Sequence, residues 1–307
     1  MKILTIGECM VEISKKNESA YKLSFAGDTA NTCVYLSRFG FQTSFLSSVG
    51  NDKISNSLVN FLKKEGINTN KININLNKTI GLYLIANNSK GEREFYYWRS
   101  NSAARTLFQD IKIINYIDYY KNYDAVYFSG ITLSIYDKKN LNIFYKFLKY
   151  LKKNKLKIYF DLNIRIKNWK DINSAKRILK KFCLLCDIVF ATVDDLKYLK
   201  INSINYFIKN FTYNSLVLFR NGKSSITVCD KNISSKHNFN FLSKVIDTTG
   251  CGDAFNACFI YNYLNSSKNI KYSIRAAHKL GKRVALTRGA IIKRNKFKIK
   301  DYAIKIN

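Results

Sequence analysis

The stretch Asp247-Thr248-Thr249-Gly250-Cys251-Gly252-Asp253 follows Lys244-Val245-Ile246 and opens a helix-like segment over 254–264. Glycine is scarce, 13 in 307 residues, so two of them around one small residue just before a helix mark a backbone held open for close approach. A helix N-terminus presents unpaired N–H groups and the positive end of the helix dipole. Gly250, Cys251 and Gly252 therefore form a candidate anion cradle, with phosphate the natural guest. Asp253 falls in the first turn, where the dipole favours its ionised form. A base beside a phosphate site points to phosphoryl transfer onto a hydroxyl. A plain turn closed by a capping aspartate uses the same residues, so the rest of the chain has to decide between them.

Upstream, apolar runs alternate with helical periods. The pattern predicts a first strand at 1–7, a helix opening at Gly27-Asp28-Thr29-Ala30-Asn31 with Asp28 as its N-cap and Gly40 at its end, a strand over 43–49 and a helix over 53–64. The alternation resumes with strands at 125–129, 157–161, 188–192 and 215–219, helices at 138–153, 172–185 and 204–211, and a short helix from Asp194. Strands at 225–229 and 239–245 precede the opening motif, and helices over 254–264 and 269–287 follow it. This order predicts an α/β fold, a mostly parallel sheet with helices on both faces. Two pieces interrupt it. The polar, alternating 14–24 and the strands 80–85 and 93–98, joined through Asn87-Asn88-Ser89-Lys90-Gly91, predict a small antiparallel β lid. The expected division is a body of 1–13, 25–70 and 103–307 and a lid of 14–24 and 71–102. In an open parallel sheet ligands bind beyond the carboxyl ends of the strands, which is where Gly27 to Asn31, Asn163, Arg165 and Arg220 to Gly222 fall.

Composition narrows the function. The formal net charge is +31, but the lysines are spread over nearly every polar segment alongside heavy use of Asn, Ile, Tyr and Phe and no proline. That is a compositional bias rather than a binding face, and it predicts attraction of anionic substrates with no specific nucleic-acid partner. No window reaches the roughly 18–20 apolar residues of a membrane helix, and the N-terminus lacks the pattern of a signal peptide, so a cytoplasmic location is expected. The seven cysteines are scattered and mostly lie in apolar segments, as free thiols do. Cys183 and Cys186 sit inside a helical pattern without a partner pair, which favours core packing over zinc. Gly222-Lys223-Ser224 lacks the earlier glycine of a P-loop, Val217 standing in its place. The histidines are His237 and His278, and neither begins an H-R-D triplet.

The motif 247–253, with Gly27-Asp28-Thr29-Ala30-Asn31, is similar to the two signatures of the ribokinase-like (phosphofructokinase B type) carbohydrate kinases. Gly7-Glu8-Cys9-Met10-Val11-Glu12, Gly81-Leu82-Tyr83, the run Glu92 to Arg99 and Arg288-Gly289-Ala290-Ile291-Ile292 resemble the 2-dehydro-3-deoxygluconate kinase branch of that family. The resemblance implies ATP and Mg²⁺ and transfer of a phosphoryl group to the terminal hydroxyl of a six-carbon keto acid, giving the 6-phosphate. Related kinases of ribose, fructose or nucleosides, or a silent relative associated with nucleic acid, are the alternatives. It implies further that Asp253 takes the hydroxyl proton and that the amides around Gly250, Cys251 and Gly252 hold the transferring group. Gly27, Asp28 and Asn31 would hold sugar hydroxyls, and Tyr83, Tyr97 and Trp98 would wall the substrate. Arg99 and Arg165 would meet its carboxylate or the phosphates. Asn163, Arg220, Gly222, Ser225, Gly289 and Ala290 would border the nucleotide. An acid substrate calls for a planar, two-pronged cation, so Arg99 at the end of an aromatic strand is informative in a lysine-rich chain.

Three departures from the family stand out. Cys251 replaces a small alanine or glycine; its N–H stays available to an anion, and a thiol at a helix N-terminus can become reactive. Thr192 and Asp195 stand where an asparagine and a glutamate usually lie near the metal, which leaves the metal ligands unknown. Ala26 replaces a glycine. The lid's exposed edge offers a pairing surface for a second copy of the chain.

Overall fold

A computed structural model describes residues 1–17, 19–87, 93–109, 120–212, 214–222, 224–230, 233–240 and 245–303. The expected turn at 88–91, Glu92, Lys223 and positions 241–244 of the expected strand at 239–245 lie outside them.

The first half of the chain builds β1 (Lys2–Ile6), β2 (Met10–Lys15), β3 (Tyr21–Ala26), α1 (Asp28–Arg38), β4 (Gln42–Gly50), α2 (Lys53–Lys64), β5 (Ile72–Asn75), β6 (Leu82–Asn87) and β7 (Arg93–Trp98). Then come β8 (Ala125–Ser129), α3 (Gly130–Ser134), α4 (Lys138–Lys153), β9 (Lys157–Asp161), α5 (Ile172–Cys183), β10 (Ile188–Thr192), α6 (Val193–Tyr198) and α7 (Ile204–Phe211). The chain continues through β11 (Leu216–Asn221), β12 (Ser225–Asp230), β13 (Ile233–Asn238), α8 (Cys251–Asn265) and α9 (Ile270–Ala285). Helix starts follow local chemistry: the side chains of Asp52, Asp137 and Asp171 accept from the backbone N–H three residues on and so cap α2, α4 and α5.

Nine strands form one sheet in the order β13-β12-β11-β10-β9-β8-β1-β4-β5. From β5 to β11 the pairings are parallel, and β12 and β13 add an antiparallel edge. Alternate residues feed two cores. Val126, Phe128, Ile158 and Phe160 pack with Phe144, Phe147, Leu179 and Phe182 of α4 and α5. Tyr127, Tyr159 and Phe190 pack on the other face with Tyr35 of α1 and with Phe255, Phe259, Ile274 and Leu280 of α8 and α9. Helix α8 carries buried residues all round its first three turns, which a surface helix would not. Strand order reverses at β1, which lies between β4 and β8, so the ligand crevice of such a sheet opens beyond the ends of β1 and β8.

The second sheet, ordered β3-β2-β6-β7, is two antiparallel hairpins joined by a parallel pairing of β2 with β6. It differs from expectation at both ends. β2 begins at Met10, inside the Gly7-to-Glu12 segment, and Ile72–Asn75 pairs with β4 in the large sheet. Strand β13 was not expected: its Ile-Ser-Ser-Lys-His-Asn sequence is polar because the strand is an exposed edge. No described helix is long and apolar enough to cross a membrane.

Candidate active site

Helix α8 starts three residues earlier than its apolar period suggests, so the glycine motif is the helix N-terminus itself. Gly250 is the N-cap, at φ 74°. That left-handed backbone suits glycine, and a second constraint adds to it: a Cβ here would lie 2.5 Å from the Cβ of Ala290. Asp247 ties the two loops together. Its Oδ1 accepts from Thr249 N at 2.8 Å and its Oδ2 from Gly289 N at 2.6 Å. Tyr35 Oη donates to the carbonyl of Ala290 at 3.0 Å. Gly250→Ala is therefore expected to destabilise the fold by about 3 kcal/mol, combining left-handed strain with overpacking. Denaturant unfolding checks this, and a midpoint equal to that of the wild type would contradict it.

Asp253 is buried at 8% exposure in the first turn of α8, and its Oδ2 accepts from Asn31 Nδ2 at 2.8 Å. Burial raises its pKa well above the ordinary carboxylate range, and the charge of Asp28 pushes the same way; the Asn31 hydrogen bond opposes them. Such a group is a strong proton acceptor once ionised. Asp28 is not the N-cap of α1. Gly27 holds that place without a side-chain cap bond, and Asp28 is the first helical residue. Its Oδ1 accepts from Thr29 N at 2.8 Å, and its Oδ2 accepts from Asn163 Nδ2 at 2.9 Å. Asn163 bends the chain away from β9 at φ 32°. Asp28, Asn31, Asn163 and Asp253 thus come together from three distant segments.

Arg220, at the end of β11, lies against Gly252 so closely that a Cβ there would overlap its Nη1. It pairs with Asp161 at 3.1 Å, and its Cζ stands 5.8 Å from the Phe255 ring centroid. Asp161 was missed in the sequence. It ends the apolar strand β9, is fully buried, and is pushed up to about 7 by burial, while Arg220 pulls it down. Gly222, at φ 62°, and Gly289, at φ 87°, border open space, and Ser225 is buried with its Oγ accepting from Asn221 Nδ2.

The small sheet supplies the other wall. Tyr83 opposes Tyr97 with ring centroids 5.7 Å apart, and the buried Tyr83 hydroxyl donates to Glu12 Oε2. Burial raises the Tyr97 pKa, and the nearby charges of Arg165 and Arg99 lower it, so both guanidiniums and Asp28 lie within electrostatic reach of its phenol. Trp98 is a correction. Strand alternation turns it to the face opposite Tyr97, where it is 57% exposed, so the structure does not bring it to this cluster. Arg165 is exposed before a short 3₁₀ turn, whereas Arg99 is nearly buried and pairs with Glu8.

Two departures from the family left open by the sequence have a structural account. The Cys251 thiol is pushed up to about 12, first by burial and then by Asp253 and Asp247, so it is protonated and unreactive at neutral pH. Thr192 and Asp195 form a capping box. Asp195 Oδ2 accepts from Thr192 N and Oγ1, both at 2.7 Å, and its Oδ1 accepts from Ile164 N at 2.8 Å. Among the described residues no three His, Cys, Asp or Glu side chains gather as a metal site. The described residues thus form no protein cage for Mg²⁺.

The chain belongs to the pfkB family of carbohydrate kinases, whose sequence profile matches residues 1–296. It is therefore a phosphotransferase with an alcohol group as acceptor. It is 31% identical over 300 residues, 95% of each chain, to a 2-dehydro-3-deoxygluconokinase of Haemophilus influenzae. The fold matches the 2-dehydro-3-deoxygluconokinase of Thermotoga maritima (TM-score 0.80, 19% identity, 98% of each chain). It also matches the fructokinase of Xylella fastidiosa with bound ATP (TM-score 0.80, 18% identity, 98% of this chain and 95% of that one).

Proposed function

We propose that this kinase transfers the γ-phosphoryl group of ATP to the terminal hydroxyl of 2-dehydro-3-deoxygluconate, giving the 6-phosphate and ADP. The observation that supports it is the presence together of a buried base on a helix N-terminus, Asp253, and of two guanidiniums, Arg99 and Arg165, within electrostatic reach of Tyr97. The sugar acid lies between the two sheets. Its carboxylate meets Arg99 and Arg165, and its hydroxyls meet Asp28 and Asn31 beside the close-packed Gly27. Tyr97, backed by Tyr83, covers it and excludes water.

As the terminal oxygen attacks, its bond to the γ-phosphorus forms and the bond from that phosphorus to the bridging oxygen of ADP breaks. Asp253 receives the hydroxyl proton. The amide of Gly252 and the Arg220 guanidinium meet the charge on the transferring group; the Cys251 amide, expected to join them, instead donates to the Thr248 carbonyl at 3.2 Å. Asn163, Gly222, Ser225, Gly289 and Ala290 edge the nucleotide, the two glycines by leaving space. Mg²⁺ fits as an ion carried on the nucleotide's own phosphates, and no step assigned to these residues runs through it.

The test is ATP consumption with a panel of 2-dehydro-3-deoxygluconate, fructose, ribose and a nucleoside. The keto acid is expected to exceed the neutral sugars in kcat/KM by about a hundredfold or more, because Arg165 and the donors of Arg99 that Glu8 leaves over would face a sugar without a carboxylate. A higher value on any neutral member would overturn the substrate, and inertness on all of them would favour a silent relative.

A further inference from the structure

Glu8 lies just past the end of β1, where strand order reverses, and the transfer described above gives it no part. Three segments meet on it. Its carbonyl lies so close to Gly27 that a Cβ there would overlap it, and its Oε1 lies 2.9 Å from the place a Cβ on Gly81 would occupy. Its Oε2 accepts from Nη2 of Arg99. Gly81 and Arg99 are the stems of the small sheet, entering β6 and leaving β7, and Gly27 opens α1.

The ion pair is nearly dry, with side-chain exposures of 3% for Glu8 and 11% for Arg99. A buried pair is stable only when its remaining polar atoms also find partners. Here Glu8 Oε1 and Arg99 Nε have no hydrogen-bond partner among the described residues. The Tyr136 hydroxyl is buried, likewise lacks one among them, and feels the Glu8 charge after the larger effect of its own burial. This is a polar junction with unused donors and acceptors at the base of the sheet that covers the substrate.

We propose that Glu8 is a positioning residue for carboxylate recognition: it holds Arg99 by one amino group at the sheet's stem and so presents the rest of the guanidinium to the sugar acid. The inference rests on the substrate reading above. A guanidinium has five N–H donors fixed in one plane, so one edge can be engaged by Glu8 while another receives a second carboxylate. Two carboxylates on one cation leave a net negative charge, which Arg165, also within electrostatic reach of Tyr97, offsets. The arrangement also makes Glu8 hazardous when Arg99 is missing, because a lone buried carboxylate then faces an anionic substrate.

That hazard gives the test. Glu8→Gln is expected to raise KM for 2-dehydro-3-deoxygluconate about tenfold, with kcat within about threefold and KM for ATP unchanged, because binding is lost and chemistry is not. Arg99→Ala is expected to raise the same KM by about a hundredfold, and adding Glu8→Gln to it to recover about tenfold of that loss. Glu8→Asp, one methylene short but charged, is expected to fall between Glu8→Gln and the wild type, and serves if the glutamine variant does not fold. A double variant no better than Arg99→Ala alone would overturn the proposal, as would a Glu8→Gln effect equal for ATP and sugar acid. The two failures differ: no turnover of the keto acid by the wild-type protein overturns the substrate, whereas normal wild-type turnover with additive losses overturns Glu8.

Discussion

Asp253→Asn is expected to lower kcat by about three orders of magnitude, the middle of the range for removing a general base, while KM for ATP changes little. Asparagine keeps the size of the side chain and can still face Asn31, so the helix N-terminus and its amides remain in place. What is lost is a proton acceptor whose affinity burial has raised. The same shift predicts the acid side of the wild-type pH profile. Activity requires ionised Asp253, so kcat/KM should rise with pH through an apparent pKa above the ordinary carboxylate range. Steady-state kinetics on the purified variant check the first expectation, and a pH series on the wild type checks the second. Turnover retained within tenfold in Asp253→Asn would remove the residue from the role of base.

Arg220→Met should damage stability as well as rate. It leaves Asp161, at 1% exposure, without the charge that pairs with it. Breaking a buried pair by removing one partner costs about 3–5 kcal/mol when the survivor stays charged. The sign of the pH dependence follows. The pKa of Asp161 is about 7 in the folded protein, against about 3.9 for a free aspartate, so the folded state binds this proton more tightly. The stability it contributes is complete below the unfolded pKa and is lost as pH rises through the folded one. Without Arg220 the folded pKa rises further, with Asp195 and Asp28 adding repulsion. The variant should therefore lose far more stability at pH 9 than at pH 5, measured as urea midpoints against the wild type. An equal loss at both would show that the pair does not govern Asp161.

Sequence carried the frame of this site because its signals are local. A scarce glycine pair before an apolar helix marks the cradle, and strand–helix alternation with aspartate caps marks the parallel sheet. What stayed hidden depends on contacts across the chain. Asp161 reads as the polar end of an apolar strand until Arg220, 59 residues away, is folded against it. Glu8 looks like an ordinary loop acid until Arg99 arrives, 91 residues later. Other misses had a legible cue. Period-two alternation separates Trp98 from Tyr97, and the i to i+3 spacing of Thr192 and Asp195 is that of a capping box. Asp28 was misplaced by a single residue, and that residue matters: as a cap its carboxylate would be spent on backbone, whereas at the first helical position it also reaches Asn163.

Seven cysteines in one kinase would ordinarily complicate any experiment that attaches a probe to sulfur. Here burial raises the pKa of every one of them, Cys251 in the cradle included. At neutral pH the native thiols are thus expected to react slowly with maleimides and iodoacetamides, which attack the thiolate. A cysteine introduced at the exposed Trp98 position is expected to label far faster than any of them, with no native cysteine removed. A fluorophore there would ride on the face of the small sheet opposite Tyr97, and a change in its signal on adding the sugar acid would test whether that sheet moves over the substrate.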